Sequence, residues 1–66
     1  MPRSIREAAL RELQRATGNL DWAGTHMAGV IKEYEADHKE ISEPLRDCCQ
    51  LLVELQSVIM SVRRLI

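Results

Sequence analysis

The sequence predicts an all-α protein, an antiparallel helical hairpin that assembles into a larger helical bundle or coiled coil. Three observations carry that prediction. The chain of 66 residues has no Phe, two Pro and almost no alternating β-branched stretch, while Ala, Leu, Glu, Arg and Gln, all strong helix formers, dominate it. Apolar residues recur in steps of three and four from Leu10 to Ile66. Between Cys48 and Val62 stands one charged side chain, Glu54, in a chain that is 29% charged. A helix that apolar has to be covered by something.

The first element is expected at residues 5–17. Ser4-Ile5-Arg6-Glu7 matches S-x-x-E, in which the hydroxyl and the carboxylate reciprocally satisfy free backbone N–H groups at a helix start. Thr17-Gly18-Asn19 offers a break, since Gly suits the residue after a helix and Asn the start of the next. A break there would leave a short third, N-terminal helix. Residues 1–17 hold four Arg against two Glu, and residues 21–43 six acids against two Lys, so such a helix would be attracted to the middle arm.

The second element is expected at residues 20–41 and the third at 44–66, with the turn at Ser42-Glu43-Pro44. Pro is favoured in a first helical turn, is costly in a helix interior and pushes the preceding residue away from helical geometry. Two arms of nearly equal length, each ~33 Å at 1.5 Å per residue, favour a hairpin. The competing reading is one long rod, because the heptad register continues unbroken through Pro44. Thr17 and Gly24 at the seam of that rod, and Pro44 inside it, weigh against it.

With Leu10 labelled a, positions a and d include Leu13, Leu20, Met27, Ile31, Tyr34, Leu45, Leu52, Leu55, Ile59 and Val62. Position g adds Ala9, Ala16, Ala23, Val30, Leu51 and Val58. A two-stranded coil needs only the a/d seam, whereas a face this wide needs neighbours on two sides. The residues expected at a partner interface are therefore Met27, Ile31, Tyr34, Leu45, Leu51, Leu52, Leu55, Val58, Ile59 and Val62. Trp22, outside the seam, joins them as an aromatic contact anchor.

Chemistry-bearing patterns are absent. No H-E-x-x-H, C-x-x-C, Gly-rich phosphate loop or Ser-His-acid grouping occurs, so the chain is expected not to be an enzyme and to have no catalytic, cofactor or metal site. A metal or redox sensor built on His38, Cys48 and Cys49 is the alternative from another class. His26 would lie about 18 Å from such a cluster along its arm. The two cysteines are adjacent and point about 100° apart on a helix, which does not suit a mutual disulfide, so a reducing cytoplasmic or nuclear compartment is expected.

A net charge of −1 gives no basic field for nucleic acid or an anionic membrane, and no apolar run is long enough to span one. No small-molecule substrate is suggested either. The expected partner is a protein, either a second copy or a larger helical protein. The function expected is an interaction or oligomerisation module across residues 1–66, with a chaperone-like escort for a client helix as the alternative.

Trp22-Ala23-Gly24 resembles the W-x-G signature of small helical-hairpin substrates of type VII secretion. In that family the motif occupies the hairpin turn and a Y-x-x-x-D signal follows the second helix. Here the expected turn lies 20 residues later and Tyr34 is followed four residues on by His38, so no family is assigned.

Overall fold

A computed structural model describes residues 3–66, with the side chain of Arg3 left undescribed. It is a hairpin of two helices, α1 over Arg3–Tyr34 and α2 over Lys39–Leu65, joined by a turn at residues 35–38. The hairpin is rod-shaped, 54 Å long and only 15 Å by 10 Å across. Arg6 Nε donates to the Ile66 carbonyl at 2.9 Å, so the start of α1 is tied to the end of α2.

The expected break at Gly18 does not occur. Helix α1 runs unbroken through Thr17-Gly18-Asn19, and none of the glycines has a positive φ. A mid-helix Gly costs about 1 kcal/mol. That is less than the packing of Ala16, Thr17 and Leu20, all half-buried on the side of α1 that meets α2. The separate N-terminal helix expected at residues 5–17 is thus the first half of α1, and Ser4 falls inside its first turn rather than before it.

The turn also differs from the expected one. It lies at residues 35–38, and Pro44 stands inside α2. Its backbone uses only negative φ, with His38 at φ −135° and ψ 73°. The Glu35 and His38 amides donate to the carbonyls of Ile31 and Tyr34 at 2.8 Å each, and those of Ile41 and Ser42 both reach the His38 carbonyl. The stretch from Lys32 to Glu40 offers little apolar surface beyond Tyr34 and Ala36, so it is the segment least able to contribute to a seam.

The seam joins Leu10, Leu13, Thr17, Leu20, Gly24, Met27 and Ile31 of α1 to Ser42, Leu45, Cys49, Leu52, Gln56 and Ile59 of α2. On α1 this is the expected a/d register. On α2 the helix is rotated by about a seventh of a turn, so that 49 and 56 face inward in place of 48 and 55, and buried Ser42 stands beside half-buried Ile41. Small and polar residues make the close approach workable. Thr17 satisfies its own hydroxyl on the Leu13 carbonyl at 3.0 Å, Gly24 leaves room for Leu52, and Ser42 is 2% exposed. Among the described residues no hydrophobic side chain is fully buried. A two-helix hairpin has a seam and no core.

Candidate docking face

The rotation of α2 produces its main surface feature. Once Leu45, Cys49, Leu52 and Ile59 turn inward, a second row with the same three-and-four spacing is left outside: Cys48, Leu51, Leu55, Val58, Val62 and Leu65. All six are exposed, Leu51 at 57%, Leu55 at 51%, Val58 at 60% and Leu65 at 86%. Such spacing places side chains in line along one helix face. The row covers ~26 Å of α2.

Polar contacts between the helices fix which side of the hairpin carries this row. Arg46 Nη2 donates to Glu35 Oε2 at 2.6 Å, and Gln56 Nε2 to Asp21 Oδ1 at 2.6 Å. Asp21 directly follows the seam residue Leu20 of α1 and Arg46 follows Leu45 of α2, so residues that follow seam positions share one edge. Residues that precede the inward positions share the opposite edge. On α2 these include Cys48, Leu51, Leu55 and Val58; on α1 they include Ala9, Ala16, Ala23 and Val30. The result is one long apolar face, with a floor of small residues on α1 and a wall of Leu and Val on α2.

Charge is sorted around that face. Along its outer margins run Glu12, Asn19, His26 and Glu33 on α1 and Asp47, Glu54 and Ser61 on α2, all exposed. No Lys or Arg with a described side chain occupies the face or either margin. Arg15, further round α1, reaches in to Glu12 Oε1 at 3.0 Å. The opposite edge is mixed, with exposed Val53 and Met60 on the same line of α2 as Arg46, which pairs with Glu35.

The residues expected at a partner interface therefore separate into three groups. Met27, Ile31, Leu45, Leu52 and Ile59 are half-buried between the two helices of the hairpin itself. Leu51, Leu55, Val58 and Val62 stand on the exposed face. Trp22 and Tyr34 belong to neither. Trp22, 65% exposed, points outward from α1 and stacks on His26 with ring centroids 6.0 Å apart, and Tyr34 meets His38 edge-on at 5.6 Å beside the turn. Leu65, Cys48 and the alanine row of α1 belong to the face and are not among the residues expected at the interface. Their signal was the d row for Cys48 and the g row for the others, combined with knowledge of which way α2 turns.

Among the described residues no three His, Cys, Asp or Glu side chains come together as a metal site. His38 Nδ1 lies 2.9 Å from Glu40 Oε1 at the turn, Cys48 faces outward and Cys49 inward. A shallow depression at the open end is lined by Leu10, Met60, Arg63 and Arg64. It gathers no nucleophile or acid–base pair. No helix is long and apolar enough to cross a membrane among the described residues.

Comparison with protein-family models, with curated proteins and with solved structures finds no match in any of the three. The functional reading therefore rests on the residues alone.

Proposed function

We propose that this chain is a non-enzymatic helix-docking module, which covers its exposed apolar row with a helix from another chain and so completes a bundle of three or more helices. The observation that carries the reading is the second three-and-four row, Cys48 to Leu65, left in solvent on a hairpin with no buried hydrophobic residue among those described. Burying a large aliphatic side chain contributes on the order of 1.5 to 3 kcal/mol, and Leu51, Leu55, Val58 and Val62 lie in one line for a partner to cover together. Exposed, the same row is an association-prone patch.

The test uses a Leu55→Asp, Val58→Asp double variant. Both side chains already stand in solvent, so circular dichroism is expected to show unchanged helicity. Binding of labelled amphipathic helical peptides, followed by fluorescence anisotropy, and self-association, followed by light scattering, are both expected to fall at least about tenfold. A wild-type chain that melts cooperatively as a monomer and holds neither a helical peptide nor a second copy would remove the basis of the reading.

A further inference from the structure

We infer that the occupant of this face is a single amphipathic helix of another protein carrying Lys or Arg on both flanks of its apolar stripe, and not a second copy of this chain. The inference rests on the docking reading and specifies the partner's chemistry.

The area suits one partner face. A compact protein of 7.5 kDa exposes about 4,250 Å², whereas this hairpin exposes 5255 Å². The surplus of roughly 1,000 Å² is close to the ~800 Å² that one partner loses in a standard interface. The relief suits a helix as well. Ala9, Ala16 and Ala23 have only a methyl beyond the backbone, so a third helix can lie close against α1 with the Leu and Val of α2 beside it, and interaxial distance depends on the side chains at the contact.

Charge decides between occupants. A helix lying in the groove has Glu12 and Glu33 on one flank and Asp47 and Glu54 on the other, all exposed, Glu12 being already shared with Arg15 of its own helix. Acid on both margins matches a helix that is basic on both sides. A second copy brings its own face against this one, and with it Glu12, Glu33, Asp47 and Glu54 toward the same four acids. Like charges juxtaposed at a rim select against a partner.

The experiment presents the full chain with two synthetic helical peptides. They share one Leu/Ile stripe in three-and-four spacing, and the flanking positions are all Lys in one and all Glu in the other. The Lys peptide is expected to bind at least about tenfold more tightly at low ionic strength, as four modest rim pairs would give. The preference is expected to shrink near 1 M salt, where the Debye length is about 3 Å. A Glu12→Lys, Glu33→Lys, Asp47→Lys, Glu54→Lys variant, altered only at exposed positions, is expected to invert the preference. Equal binding of the two peptides, or light scattering that shows a stable dimer excluding both, would overturn the assignment while leaving the docking reading intact. Loss of all association in every form would count against the docking reading itself.

Discussion

Gln56 bridges the two helices at Asp21, its side-chain amide donating to the carboxylate at 2.6 Å while also reaching the Thr17 carbonyl at 3.2 Å. It is the polar residue of α2 that faces α1 at mid-length, and it explains why the helix turns 56 rather than 55 inward. A half-buried amide between a carboxylate and a carbonyl keeps its hydrogen bonds, while Leu55 moves to the outer face.

Replacing Gln56 with Ala is therefore expected to destabilise the hairpin by about 1 kcal/mol, the usual net worth of such hydrogen bonds. The readout is the urea midpoint followed by circular dichroism. A double-mutant cycle with Asp21→Ala is expected to give a coupling of about 0.5–1 kcal/mol. A coupling near zero would show that the Gln56–Asp21 contact does not fix the rotation of α2.

Glycine replacements test whether α1 is one helix. An added Cβ at Gly18 or Gly29 meets no atom within 4 Å, and at Gly24 it meets Leu52 Cδ1 at an ordinary 3.7 Å. Each Gly→Ala change is expected to stabilise by about 0.5–1 kcal/mol, because Ala loses less backbone entropy on entering a helix. For a chain of this size that raises the Tm by a few degrees per substitution. If Gly18→Ala lowers the Tm, the chain breaks at Gly18 after all.

The extent to which this hairpin was legible in its sequence follows from what each signal is able to encode. The seam of α1 was legible because polar and small residues leave one choice of face, Leu10 through Ile31. On α2, by contrast, apolar residues fill a, d and g together, so the three rows Leu45–Ile59, Leu55–Val62 and Leu51–Val58 compete on equal terms. Hydrophobicity alone does not select the inner one. The selection depends on Ser42 and Gln56, whose polarity argues against burial when read one residue at a time. Thr17 and Gly24 misled in a similar way. They are poor core residues in a rod, yet in the hairpin Thr17 bonds its own helix and Gly24 accommodates Leu52. The candidate face was half legible, since Leu51, Leu55, Val58 and Val62 could be named while the direction of α2 could not.

Pro44 was read as a turn residue and stands instead at the sixth position of α2. Lacking an N–H, it leaves the Glu40 carbonyl without the donor it would have in an unbroken helix, and its ring crowds that carbonyl. Pro44→Ala is expected to stabilise α2 by about 1–3 kcal/mol, read as a higher Tm with slightly greater helicity. The turn missed from the sequence follows the same logic. Residues 35–38 hold no Gly or Pro, and only the density of charge from Lys32 to Glu40 marked the place where neither helix had apolar surface to contribute. Should Pro44→Ala lower the Tm, the chain turns at Pro44 and not at residues 35–38.

Leu51 and Leu52 are neighbours in sequence and opposites in role, which makes them the sharpest test of the rotation. Leu52 packs against Gly24 within the seam, whereas Leu51 is 57% exposed on the outer row. Leu52→Ala is expected to cost about 1–2 kcal/mol of hairpin stability, the lower end of core truncations because the site is only half-buried. Leu51→Ala should change monomer stability by less than about 0.5 kcal/mol and weaken helix docking instead. Urea melts and peptide anisotropy on the same two variants separate the effects. If the roles are exchanged, α2 presents its other row to α1, and the apolar face lies where the seam has been placed.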